Sequence, residues 1–391
     1  MSEMNRRSAA AMALSYIIIV SLLTGCAGGG IYANYSAIED LQPVETLAVD
    51  RAGGGRSVLT VSSGEGDAPL VLRGEGGGLI EAIDALRSAT PQGELFFDHT
   101  RFIVLGADYA AAGIRALLDF TERDVQLRLG TELFILRGAE AGSLLSAAAE
   151  SGRDISETLA SVRRAVDGRA DSHVDDLRQT AVALSEYGAA LVCALDPAPA
   201  EGGAHPAGEG PTPLPAGYAV LQDGALMAYL EGAEAEAASL LTDHATRLLR
   251  PAVLPEGGSA MLLCEPESPA FCVHWDADGA PRLDISVRLR AVVVEIEGDA
   301  VSVTDAAALA ALGAQAEAEI RRDIEAVLAR SRELNSDFLA LGGVLRRSGG
   351  ARFAALGEDW LRNLAAEVTV ACTVAHSYDL NDPVGTEGGG V

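Results

Sequence analysis

The sequence predicts an α/β protein with α+β mixed sheets, multi-domain, its sheets packed with helices. Three observations predict this. Short apolar runs alternate with helical periodicity through the first half, the rhythm of sheets layered with helices. Asp196 to Pro215 is rich in Pro, Gly and Ala, carries no periodicity and reads as a linker. Beyond it, strands alternate apolar and polar residues as a one-sided sheet requires, and one long amphipathic helix follows. The expected domains are 26–195 and 216–385, joined by 196–215, after a signal segment at 1–25.

In the first half, Leu47 to Val49 and Ser57 to Val61 read as strands around the Gly53-Gly54-Gly55 turn. Gly74 to Gly78 reads as a turn that opens a helix, whose apolar residues Leu79, Ile80, Ile83 and Leu86 recur at helical spacing. Phe102 to Leu105 is a continuous apolar run, hence a buried strand, and Ala107 to Glu122 reads as one helix with Ile114, Leu117 and Leu118 inward. Strand Thr131 to Leu136 and helix Ala139 to Ala149 continue the rhythm. Helices Ile155 to Val166 and Val174 to Tyr187 follow, and strand Ala190 to Leu195 closes this half.

In the second half, Asp223-Gly224 between Tyr218 to Leu221 and Leu226 to Leu230 signals a hairpin. A helix is expected over Glu234 to Leu249, then strands Ala260 to Cys264, Phe271 to Trp275 and Leu283 to Ile296. The long helix, Asp305 to Asn335, carries Ile320, Ile324, Val327, Leu328 and Leu334 inward. Glu317, Glu319, Arg321, Arg322 and Asp323 read as its solvated face. The closing strand alternates Val368, Val370, Cys372 and Val374, and the tail after Asp379 is rich in glycine.

Composition excludes several chemistries. All 29 basic residues are arginine, so no lysine is available for a Walker-type phosphate loop, a Schiff base or Ser-Lys catalysis. The net charge of −27 becomes −28 once Glu3, Arg6 and Arg7 leave with residues 1–25. Such acidity argues against a basic face for nucleic acid or anionic lipid. There is no GxSxG, HExxH or CxxC, and His99, His173, His205, His244, His274 and His376 show no ligand spacing. No metal site or cofactor is expected. Cys264 and Cys272 either bridge, if their segments pair, or remain buried thiols beside Cys193 and Cys372.

Three local candidates have bland counterparts. Asp98 and His99 stand at a strand mouth, but neighbours on a strand point to opposite faces and do not share a site. Arg123, next to Asp124, could bind an anion, and a helix C-terminal cation is the simpler role. Asp337 could touch a ligand, and a cap at the turn after the long helix is the simpler role.

Cys26 carries the most specific signal. Arg6 and Arg7 precede an apolar stretch, Ala9 to Leu23, shorter than the roughly 20 residues of a spanning helix. Leu23, Thr24, Gly25 and Cys26 follow as a lipobox: small residues admit the signal peptidase, and the Cys26 thiol takes a diacylglyceryl group and later an N-acyl chain. The expected product is an extracytoplasmic lipoprotein.

The ordered landmarks resemble the Ger(x)C family of spore germination lipoproteins. In the first half the resemblance rests on Phe96-Phe97-Asp98-His99, the strand Phe102 to Leu105, and Gly113-Ile114 followed by Leu117 to Asp124. Leu133 to Leu136 and Gly138-Ala139 leading to Leu144-Leu145 continue it. In the second half it rests on Gly217 to Val220, Asp223-Gly224, Leu226, Asn335 to Phe338, Trp360 and a strand ending near His376. The chain departs from the family in its lack of lysine, in Asp98 where a glycine commonly stands, and in its long linker. The resemblance implies a Ger(x)C-like arrangement of α/β domains and a non-catalytic, lipid-anchored C subunit of a nutrient-germinant receptor. It would lie on the outer face of the spore inner membrane, working with an integral A subunit and a permease-like B subunit. The alternative is an extracytoplasmic solute-binding lipoprotein of an uptake system, with a ligand cleft between two lobes.

Overall fold

The computed structural model describes residues 41–63, 69–90, 94–123, 127–197, 213–254, 257–297 and 306–375. Leu41–Pro43 (β1) and Glu94–Phe96 (β5) form a two-stranded ladder. The two larger sheets belong to one compact unit, Pro43–Thr90 with Leu95 onward.

The first of these has eight strands in the order β10-β9-β8-β7-β6-β2-β3-β4. Its centre is parallel: Thr46–Arg51 (β2), Phe102–Gly106 (β6), Glu132–Leu136 (β7) and Ala189–Pro197 (β8). Both faces of these strands are covered, which is why they read as unbroken apolar runs rather than alternating ones. Leu47, Ile103 and Leu133 pack on one face against Leu79–Ala89 (α1), Ala107–Ala112 (α2), Arg115–Arg123 (α3) and Leu177–Tyr187 (α6). Phe102, Phe134 and Leu136 pack on the other against Ala141–Glu150 (α4) and Ile155–Val166 (α5).

Antiparallel hairpins complete both margins. Ser57–Ser63 (β3) and Leu70–Gly76 (β4) lie beyond β2, and Pro213–Gln222 (β9) and Ala225–Leu230 (β10) lie beyond β8. The β9–β10 turn is as expected, with Asp223 and Gly224 at φ of 53° and 85°. Strand β8 is the last strand before the 198–212 segment. It pairs with β9, so the strands on either side of the 198–212 segment are neighbours in one sheet.

Several helix boundaries differ from the sequence expectation. Gly74 to Gly76 continue β4 instead of forming a turn, and a Cβ on Gly74 would lie 2.3 Å from the Ala82 carbonyl oxygen. The glycines let α1 lie directly on the strand. The expected helix over 107–122 breaks into α2 and α3 at Gly113, whose φ is 112°. Helix α6 starts at Leu177, after Val174, because Asp176 and Gln179 form a reciprocal capping box there.

The second sheet runs β11-β12-β14-β13, with Ala365–Ala375 (β15) parallel to β14. Its strands are Leu248–Val253 (β11), Ser259–Pro266 (β12), Ala270–Trp275 (β13) and Pro281–Glu297 (β14). The expected helix over 234–249 is Gly232–Leu241 (α7), and Leu248 already belongs to β11, where alternate residues are buried. The 29-residue helix Ala306–Leu334 (α8) covers one face with Ile320, Ile324, Val327 and Leu328. Leu334 is only partly buried. Leu341–Ala354 (α9) is a further helix that periodicity did not reveal. Tyr218 and Val220 of β9 share one apolar core with α7, α8 and the second sheet, so burial is continuous across the two sheets.

The thiols of Cys193, Cys264, Cys272 and Cys372 are free. Cys264 lies opposite Ala291 and Cys272 opposite Asp284 along β14. That is seven positions, roughly 23 Å at 3.3 Å per residue, so their segments do not pair and no bridge can form.

Candidate functional site

Leu23, Thr24, Gly25 and Cys26, the lipobox, lie outside the described residues. Asp124, His205 and His376 do so as well. Among the described residues no helix is long and apolar enough to cross a membrane.

An α/β sheet offers its natural ligand crevice beyond the carboxyl ends of parallel strands, where successive connections leave on opposite faces. Here that point lies between β6 and β7. The chain leaves β6 into α2 on one face and β7 into α4 on the other. A cavity of about 360 Å³ opens there, lined by Asp50, Arg51, Gly106, Asp108, Gly138 and Glu140.

The protein fills the anion position of this crevice with its own side chain. Asp50, at the end of β2, is 3% exposed and accepts the backbone N–H groups of Ala141 and Gly142, each at 2.7 Å. Those are the free donors at the α4 N-terminus, where a phosphate or carboxylate ligand would bind. Burial pushes the Asp50 carboxyl up, against the lowering effect of the two N–H donors. Asp108 and Glu140 add negative charge around it. Glu140 is itself paired with Arg73 at 3.5 Å, and Arg51 also lines the cavity.

The sequence-level candidates have structural partners. Phe97–His99 form a single helical turn rather than a strand mouth, so strand alternation does not govern them. Asp98 is gripped by Arg128 through two hydrogen bonds of 2.8 and 2.7 Å, which hold its carboxyl below the usual range. His99 packs against Phe96 with ring centroids 5.4 Å apart. No acid–base dyad results. Arg123 pairs with Asp119 one turn back on α3, its Nε 2.9 Å from Oδ1. Asp337 caps α9, accepting from Leu341 N at 2.7 Å and Gly342 N at 2.8 Å. Burial raises its carboxyl to about 7.

The acidic face of α8 is not wholly solvated. Glu317 accepts the Cys372 backbone N–H at 2.8 Å, tying α8 to β15. Asp323 pairs with Arg250 at 3.4 Å. Arg250, buried on β11, also pairs with Glu236 of α7, so one guanidinium joins three elements. The sequence did not show the two contacts of α8, whose partners lie 55 and 73 residues away.

One cluster of metal-ligating side chains is assembled across the chain. His173 and Asp175, between α5 and α6, meet His244, between α7 and β11, with one potential ligand atom of each within 4.8 Å of the others. The two imidazoles stack, with centroids 3.9 Å apart and planes inclined by 10°. Burial depresses His244 to about 4 and raises Asp175. Asp175 and His244 also line a cavity of about 450 Å³ together with Tyr187, Tyr218, Phe338 and Arg347. Spacing gave no sign of this cluster, since 71 positions separate its two histidines.

Residues 34–192 match the spore germination protein N-terminal domain, and residues 216–377 match the spore germination B3/GerAC-like C-terminal domain. The chain belongs to the Ger(x)C family of spore germination proteins. The fold agrees: the crystal structure of the GerBC protein is similar at a TM-score of 0.53 and 14% identity, over 84% of this chain and 96% of that one. At that identity the likeness is one of fold. No curated protein matches the chain. As a Ger(x)C protein it is a C subunit of a germinant receptor, a family of receptor subunits associated with the membrane.

Proposed function

We propose that this Ger(x)C protein is a lipid-anchored, non-catalytic subunit that assembles with, or relays the nutrient signal of, an integral A subunit and a permease-like B subunit. The observation that carries the reading is the pair of family matches spanning both halves of the chain behind the lipobox at Cys26. Two acyl chains give stable anchoring where one gives marginal binding, as a diacylglyceryl group on Cys26 would. The anchor sets a high local concentration at the outer face of the spore inner membrane, so weak contacts with the membrane subunits suffice.

The fold supports a non-catalytic role. The crevice that an α/β sheet offers for a ligand holds Asp50 against α4, and Asp98 and Asp337 are engaged by Arg128 and by the α9 N-terminus.

The test is Cys26→Ala in sporulating cells. The expected outcome is protein that fractionates away from the spore membrane and spores that lose most of their nutrient response while still germinating through non-nutrient routes. Spores that respond normally with the variant still membrane-bound would refute the anchoring role.

A further inference from the structure

We propose that His173, Asp175 and His244 form a binding site for a single transition-metal ion, Zn²⁺ being the best fit. The donor set is two imidazoles and one carboxylate, drawn from two loops that the fold brings together. Such a set suits zinc and its neighbours, whereas calcium and magnesium prefer all-oxygen sites.

The distances suit an ion better than they suit direct bonds. His173 Nε2 lies 3.5 Å from Asp175 Oδ1. This exceeds the usual 2.7–3.2 Å of an N–H···O hydrogen bond. It is close to the edge of a tetrahedron, about 3.3 Å, whose centre is bonded to both atoms at about 2.0–2.1 Å. The His244 ring is already oriented: its Nδ1 is 3.2 Å from the Thr242 hydroxyl, leaving Nε2 as the free nitrogen. A hydrogen bond to the non-ligating nitrogen is the arrangement that orients metal-bound imidazoles.

The electrostatics also leave room for a cation. Asp175 is largely buried, and among the described residues no arginine lies within ion-pair distance of its carboxylate. A largely buried carboxylate with no arginine beside it lacks the compensation that buried charges require, and a dication supplies it. The adjacent cavity gives the ion a route in and space for a water as fourth ligand. Coordination requires the stacked rings to tilt toward each other. That is a rotation about a terminal sp³–sp² torsion, which has a broad well.

The consequence is mechanical. The ion would clip the loop between α5 and α6, which belongs to the eight-stranded sheet, to the loop entering β11 of the second sheet. The site goes beyond receptor membership and does not rest on it.

The experiment uses the full chain in detergent, without a polyhistidine tag, titrated with Co²⁺ and then Zn²⁺. The expected result is one saturable Co²⁺ per chain, with ligand-field absorption that Zn²⁺ abolishes. His244→Gln and Asp175→Asn should each weaken binding at least tenfold while circular dichroism stays unchanged. Should a variant not fold, histidine modification of the wild type read by mass spectrometry decides: Zn²⁺ should protect His173 and His244 and leave His99 and His274 reactive. Absence of stoichiometric binding, variants that bind as tightly as wild type, or uniform protection of all histidines would overturn the site.

Discussion

Asp50 Oδ1 occupies the space that a side chain on Gly106 would need: a Cβ built there would come within 2.2 Å of it. The carboxylate at the end of β2 and the glycine at the end of β6 are therefore one device, whose purpose is to seat Asp50 on the α4 N–H groups. Removing either should undo the same contact. Asp50→Ala leaves two buried donors without an acceptor and should destabilise the protein by about 2 kcal/mol in urea unfolding. Asp50→Asn, which keeps one acceptor oxygen, should cost about half as much. Gly106→Ala should be destabilising too, and the double variant Asp50→Ala with Gly106→Ala should fall well short of additivity. Full additivity would mean that the two residues act independently.

Gly74 and Gly78 look alike in sequence and should behave differently. A Cβ at Gly74 meets the Ala82 carbonyl at 2.3 Å and the Leu86 side chain at 2.8 Å, while one at Gly78 meets nothing within 4 Å. Gly74→Ala must push α1 off β4 and should cost about 3 kcal/mol, the upper range for overpacking. Gly78→Ala, at the helix N-cap, should cost about 1 kcal/mol or less. Thermal unfolding of the two variants measures the difference. Equal losses would mean that Gly74 is a loop glycine after all.

The contrast shows what a single sequence can carry. Elements with local causes were legible: the unbroken apolar run Phe102 to Leu105 gave a central parallel strand, and Asp223-Gly224 gave the hairpin. The capping role of Asp337 was legible too, because a helix and a turn surround it. What depends on distant partners was not. Gly74 is a packing glycine only because α1 returns over it, and the 196–215 segment reads as a boundary although β8 and β9 pair across it. His173 and His244 meet because two connecting loops cross the same region, which no spacing rule encodes.

The thiols should separate by exposure. Cys272 is exposed on β13, whereas Cys193 is fully buried, with its thiol pushed far up by desolvation. Cys264 is also buried, in register with Ala291. A thiol reagent applied to native protein, followed by peptide mass spectrometry, should label Cys272 first and Cys193 and Cys264 only on unfolding. Rapid native labelling of Cys193 would show that the sheet opens at β8.

Asp337 should give the protein a pH dependence of definite sign. Its carboxyl titrates at about 7 in the fold against 3.8 for the ordinary group, because burial disfavours the charge more than the Leu341 and Gly342 N–H donors favour it. Between these values the folded protein binds the proton and the unfolded chain does not. Stability from this group is therefore full below about pH 4 and is lost as pH rises through about 7. A shift of this size corresponds to a loss on the order of 2–4 kcal/mol across that window. Asp50, also raised by burial, acts in the same direction, so the comparison must isolate one residue. Asp337→Asn keeps an acceptor for the α9 N-terminus and removes the titration. Urea unfolding of wild type and Asp337→Asn at pH 5 and pH 8 should show wild type losing stability relative to the variant at the higher pH. A gap that stays constant, or that grows in favour of wild type with rising pH, would mean that the Asp337 carboxylate is stabilised by its two N–H donors more than burial costs it.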